Sequence, residues 1–220
     1  MDLETKIERV LTLCNRAYGK PKLFPRSDPV DELIRTVLSQ NTNDHNSLAA
    51  FAILKRYAKK WEELLELNSD KIAGMIRHAG LANIKARRIK DILAEIKRRE
   101  GRISLSHLKE LSVEEAMRYL RSFKGVGPKT AACVLLFSFR KPVMPVDTHI
   151  FRVTKRLGLI GPKTDVEEAH EIFTRIVPKN LLYNFHLSII EHGRKTCKAQ
   201  NPRCGSCVLY SLCKFEDKTA

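Results

Sequence analysis

Four cysteines, Cys197, Cys204, Cys207 and Cys213, fall within one short stretch spaced Cys-x6-Cys-x2-Cys-x5-Cys. Thiolates so close in sequence can converge on one metal centre, and in a reducing compartment clustered cysteines serve as metal ligands more often than as disulfides. Structural zinc usually takes two short pairs of ligands separated by a longer loop, whereas this run has one close pair flanked by singles. It also departs from the ferredoxin spacings, so spacing alone suggests iron and sulfide over zinc without deciding between them. A second stretch with chemical potential is Phe123-Lys124-Gly125-Val126-Gly127-Pro128-Lys129-Thr130. Gly125 and Gly127 permit backbone conformations and close approaches that a side chain forbids. Amides exposed at the start of a following helix suit an anion such as a phosphate oxygen.

The elements that must position these groups read as helices. Asp28-Pro29 sets a capping residue before a proline at the first helical position, and Val30, Leu33, Ile34, Val37 and Leu38 then form one apolar stripe ending near Gln40. Further helices are predicted over about 44–59, just after Trp61, from Ser69 to a stop at Gly80, and along Ile89, Ile92, Leu93 and Ile96. Ser112 with Glu115 predicts a capping box for a helix through Leu120, and Thr164 with Glu167 predicts another. Thr130 to Phe139 reads as an apolar helix, which makes the glycine segment a tight helix-to-helix turn. Cys14 and Cys133 stand alone on apolar stretches and read as core residues. No strand alternation, internal repeat or low-complexity linker is evident, so the fold class is all-α.

The chain has 220 residues, enough to bury a core without disulfides. Its 40 Lys+Arg against 25 Asp+Glu give a formal net charge of +15. Chains that use charge only for solvation usually match Lys with Glu, so the imbalance points to a polyanionic partner, with nucleic acid first. Asp2 and Glu4 argue against a secretory leader, and no apolar run has the length of a membrane span. The expectation is an intracellular, nucleoid-associated monomer with no membrane partner.

The glycine segment resembles the helix-hairpin-helix of the endonuclease III family of DNA repair glycosylases, and three other stretches agree in order. Val146-Asp147-Thr148-His149-Ile150-Phe151-Arg152-Val153 resembles the family's aspartate-bearing loop and helix. Leu38-Ser39-Gln40-Asn41-Thr42 resembles the segment that enters the damaged duplex. Glu191 through Cys213 resembles its iron-sulfur module. The resemblance spans about residues 25 to 215 and implies a 4Fe-4S cluster on Cys197, Cys204, Cys207 and Cys213.

It also assigns roles residue by residue. Lys129 matches the lysine of bifunctional members, whose amine forms a Schiff base with the sugar C1′. A lysine that only contacts phosphate is the plainer reading of the same position. Asp147 matches the essential aspartate and is also a sound helix N-cap. Gln40 matches a polar plug and Leu81 an apolar wedge for the space a flipped nucleotide leaves, although each could simply end its helix or seat its loop. Gly125, Val126, Gly127, Thr130 and His149 are expected contacts to DNA. So are Lys198 and Arg203, from the loop Lys198-Ala199-Gln200-Asn201-Pro202-Arg203. Pro128 stands where a basic residue is common in the family, and Phe123-Lys124 replaces a frequent Leu-Pro.

The resemblance implies two helical domains, 22–135 with the hairpin and 1–21 plus 136–220 with the cluster. A DNA cleft between them would bring Lys129 to face Asp147. The implied activity is excision of oxidised or saturated pyrimidines from double-stranded DNA, followed by β-elimination at the abasic site. The alternatives are a monofunctional mismatch glycosylase acting on thymine or uracil, and a non-enzymatic DNA-binding iron-sulfur protein.

Overall fold

Every regular element in residues 1–218, the span that the computed structural model describes, is helical; no strand occurs among them. None of these helices is long and apolar enough to cross a membrane. The chain forms two compact units, one continuous (Arg26–Phe139) and one assembled from Met1–Pro25 and the chain from Arg140 onward.

The continuous unit is built around α2 (Pro29–Ser39). Asp28 caps it by accepting from the amides of Val30 (2.9 Å) and Asp31 (3.0 Å), with Pro29 at the first helical position. The stripe of Val30, Leu33, Ile34, Val37 and Leu38 is almost wholly inaccessible. At about 2 kcal/mol for each such side chain, it supplies roughly 10 kcal/mol of gross burial energy. α3 (Asp44–Tyr57) packs on α2, and α4 (Glu62–Leu65) is a single turn after Trp61. α5 (Ser69–Met75) runs into a 3-10 turn, Arg77–Ala79, that stops at Gly80 with φ +66°. α6 (Ala82–Glu100) buries Ile89, Ile92, Leu93 and Ile96. α7 (Val113–Arg121) carries the expected reciprocal box, Glu115 N to Ser112 Oγ at 3.1 Å and Ser112 N to Glu115 Oε2 at 2.9 Å. α8 (Pro128–Val134) starts two residues before the expected Thr130 and changes to a π-helical turn over Leu135–Phe139.

The discontinuous unit contains α1 (Leu3–Tyr18), α9 (Thr148–Arg156), α10 (Val166–Ile176) and α11 (Leu182–Lys195), with α11 packed on both α1 and α9. The expected box on Thr164 is displaced by one residue: Asp165 is the cap, and its Oδ1 accepts from Glu168 N at 2.8 Å. Aspartate is at least as good a cap as threonine, and Asp165 has its own glutamate three positions on. Cys14 is fully buried on α1, where loss of water pushes its thiol up to about 12 and leaves it inert. Cys133 is buried on α8.

Candidate functional site

In the continuous unit the hairpin joins α7 to α8. Phe123 anchors it, buried beneath the Arg99 guanidinium (4.8 Å to the ring centroid) and edge-on to Tyr119 (5.4 Å). Gly125 has φ +83°, and a β-carbon there would lie 2.1 Å from Arg88 Nε. Gly127 is different: its backbone is extended, and a β-carbon would meet nothing within 4 Å. The side chains of Val126 and Thr130 are only 5% and 3% exposed, so any contact they make to a ligand outside falls to their backbone. The Val126 amide is itself taken by the Phe123 carbonyl at 3.1 Å. Lys129 is half-buried on the first turn of α8.

Gln40 ends α2 and reaches the hairpin. Its Nε2 donates to Gly125 O (3.2 Å) and Thr130 Oγ1 (3.3 Å), while Arg88 donates to its Oε1. Leu81, immediately before α6, sits in the left-handed region at φ +49° with half of its surface exposed. A leucine in that conformation, held outward, is unusual enough to ask for a use. Lys85 and Arg88 belong to no sequence motif, yet both brace these loops. Lys85 is 1% exposed, and its ammonium donates to the carbonyls of Leu38 (2.7 Å) and Ala79 (2.8 Å). Its signal was periodic: Lys85 lies four residues before Ile89 on the same buried stripe.

In the discontinuous unit Asp147 caps α9, its Oδ1 accepting from Ile150 N at 2.8 Å. The segment leading to it is pinned from α10 and α11. Met144 N donates to Thr174 Oγ1 (2.9 Å), while His170 Nδ1 and His186 Nδ1 donate to the carbonyls of Met144 (2.8 Å) and Pro145 (3.0 Å). His149 is half-buried against Gly193, where a β-carbon would come within 3.0 Å of it. Burial pushes its imidazole below the usual histidine range, and Arg152 lies 3.1 Å from Nδ1. His149 is thus packed between α9 and α11.

From α9, Arg152 donates to the carbonyls of Gly193 (2.9 Å) and Cys197 (3.0 and 2.9 Å). One turn on, Arg156 donates to those of Lys198 (2.7 Å) and Ala199 (3.2 Å) and lies 3.4 Å from Cys197 Sγ. The helix that Asp147 begins therefore holds the start of the cysteine module. The loop that follows is closed on the Thr196 carbonyl by the amides of Lys198 (2.9 Å) and Arg203 (3.0 Å), leaving both basic side chains exposed. Cys204 and Cys207 are joined by a turn, Cys207 N to Cys204 O at 3.0 Å.

Burial raises the Cys207 thiol, and the charges of Cys197, Cys213 and Cys204 act in the same direction. The four sulfurs thus share one field. Yet among the described residues no three His, Cys, Asp or Glu side chains draw together closely enough to hold one metal ion. Four cysteine thiolates are the donor set that an iron–sulfur cluster takes, and the positive charge of its iron would stabilise them, so these residues fit such a cluster. His192 Nε2 stands 3.8 Å from Cys207 Sγ, with Tyr18 Oη 2.9 Å from its Nδ1. Burial, and after it the charge of Arg152, pushes His192 down to about 4 and keeps the ring neutral.

Residues 34–179 match the model of the HhH-GPD superfamily of base excision DNA repair proteins. Residues 197–213 match the iron-sulfur binding domain of endonuclease III. The chain is 37% identical over 186 residues to endonuclease III of Sulfolobus acidocaldarius, covering 83% of this chain and 80% of that one. It is 40% identical over 189 residues to a candidate DNA glycosylase of Arabidopsis thaliana, covering 85% of this chain but 64% of the plant protein. A solved structure of a trapped endonuclease III–DNA covalent intermediate superposes with a TM-score of 0.82 over 97% of each chain, at 28% identity. Fold, hairpin and cysteine module together define a helix-hairpin-helix protein of base excision DNA repair with an iron-sulfur binding domain. Its sequence relatives narrow the class. The chain belongs to the endonuclease III family of base excision repair DNA glycosylases.

Proposed function

We propose that this protein excises oxidised or saturated pyrimidines from double-stranded DNA and then cleaves the abasic site by β-elimination, with Lys129 as the nucleophile. The observation that carries the reading is the placement of Lys129 on the first turn of α8, two residues past the open face of Gly127. The neutral Lys129 amine attacks C1′ as the bond to the base breaks, and the base leaves with the electron pair. Loss of the amine proton and ring opening give the Schiff base. Removal of a C2′ proton then expels the 3′ phosphate, and water releases the lysine. Asp147 accepts and returns these protons and stabilises positive charge on the sugar. Its cap to Ile150 fixes the carboxylate for that work.

Gln40 and Leu81 fill and wedge open the stack when the nucleotide is extruded. The exposure and left-handed backbone of Leu81 support that role. Lys198 and Arg203 add phosphate contacts, in keeping with the excess of cations in the chain. Cys197, Cys204, Cys207 and Cys213 hold a 4Fe-4S cluster, which when bound braces that loop. Neither glycosidic cleavage nor β-elimination transfers electrons, so neither step draws on it.

Borohydride reduction of the wild type on a duplex containing thymine glycol tests the proposal. A covalent DNA adduct that disappears in Lys129→Ala is expected. No adduct with any oxidised-pyrimidine or abasic duplex would refute it, and release of mismatched thymine or uracil without an adduct would place the protein among the monofunctional mismatch glycosylases.

A further inference from the structure

Gln40 and Leu81 lie 41 residues apart in sequence, on loops that follow different helices. One buried cation joins those loops. The Lys85 ammonium donates to Leu38 O (2.7 Å) and to Ala79 O (2.8 Å), the carbonyls two residues before Gln40 and two residues before Leu81. The Ala79 carbonyl also accepts from Thr42 Oγ1 (2.5 Å), on the far side of Gln40. Leu38 O belongs to the last turn of α2 and Ala79 O to the end of a 3-10 turn, positions whose carbonyls lack partners within their own helix.

A methionine would fill the same space without the cost of burying a charge, since no carboxylate accompanies Lys85. Burial drives its amine below the usual lysine range, and Arg88 adds to the effect. What the cation supplies in return is a fixed separation between two chain ends. A hydrogen bond between the loops alone would leave each free to yield when pushed into a stacked duplex.

We propose that Lys85 is a positioning residue for nucleotide extrusion: it locks the Gln40 and Leu81 loops into one piece, so that plug and wedge enter the duplex together. The proposal rests on the insertion roles given to Gln40 and Leu81 above. It separates extrusion from chemistry, because Lys85 is 1% exposed and spends its ammonium on the carbonyls of Leu38 and Ala79.

The test compares two substrates. Base release from a paired thymine glycol requires extrusion, whereas β-elimination at an abasic sugar placed in a one-nucleotide bulge does not. For Lys85→Met, single-turnover base release is expected to fall about tenfold to a hundredfold, the scale of losing a charge-assisted hydrogen bond. Elimination at the bulged site should stay within about twofold of wild type, and Lys85→Arg should recover much of the base release. Equal losses on both substrates, or no loss on the paired lesion, would overturn the proposal.

Should Lys85→Met fail to fold, Thr42→Val decides, since it removes the second tie to Ala79 O at a half-exposed position. A selective loss on the paired lesion supports the coupling and an unchanged rate overturns it. A wild-type enzyme that cannot be trapped on the bulged abasic site would instead sink the lyase assignment itself, a failure distinct from any behaviour of Lys85.

Discussion

The two glycines of the hairpin should respond oppositely to the same added methyl group. At Gly125, alanine must hold φ +83° and place a β-carbon 2.1 Å from Arg88 Nε. The left-handed backbone costs an L-residue about 1–2 kcal/mol. Arg88 must also withdraw, losing its charged hydrogen bond to Gln40, worth another 1–2 kcal/mol or so. The sum, roughly 2–4 kcal/mol, should lower Tm by about 5–15 °C in a protein of this size. At Gly127 the backbone is extended and nothing lies within 4 Å of a new β-carbon, so Gly127→Ala should leave Tm unchanged or slightly raised. If the open face of Gly127 receives a DNA phosphate, as the resemblance implies, the added methyl group should obstruct it and weaken binding by about tenfold or more. Calorimetry paired with fluorescence anisotropy on a duplex carrying a non-cleavable abasic analogue reads both quantities. A Gly125→Ala protein melting within a degree of wild type would refute the steric argument. A Gly127→Ala protein binding DNA normally would refute the assignment of that face to the ligand.

Two further substitutions separate structure from chemistry. Asp147→Asn keeps a side chain able to cap α9 and should melt like wild type, whereas Asp147→Ala should lose about 1 kcal/mol. Both should lose base release by about a hundredfold or more if the carboxylate moves protons, and an active Asp147→Asn enzyme would reduce the residue to a cap. On α6, hydrogen bonds from Arg98 and then Arg99 hold Glu95 at about 2, below its ordinary 4.5. A carboxyl depressed in the folded state stabilises above its unfolded pKa and loses that contribution as pH falls through the folded value. Glu95→Gln should therefore melt below wild type at pH 6, with the gap closing as pH falls from 4.5 towards 2; a gap that persists at pH 2 would contradict the pairing.

Helices with a cap and a full apolar stripe, such as α2 and α7, were legible because both signals are local. The start of α10 slipped by one residue because Thr164/Glu167 and Asp165/Glu168 satisfy the same rule, and the choice between them depends on packing. The π-helical turn at Leu135–Phe139 has no local signal that we can identify. The cysteine spacing and the glycine pair drew attention to the right segments, but the residues that brace them escaped. Lys85 continues the stripe of Ile89, Ile92, Leu93 and Ile96, but a lysine carries no apolar signal to mark it as buried. Arg152 bonds to backbone carbonyls 41 and 45 residues further along, a partnership that no local pattern records.

The split composition of the discontinuous unit bears on how the molecule is born. The segment from Arg26 to Phe139 is unbroken, so its own packing partners are all present once Phe139 has emerged, whereas α1 waits for α11 before its Ile7, Val10, Leu11 and Cys14 face is covered. At about 5–20 residues per second, that wait is on the order of ten to thirty seconds. Iron and sulfide can be accepted only after Cys213 emerges. The cysteine module therefore completes after the whole of the continuous unit has been made, and α1, though translated early, is covered late.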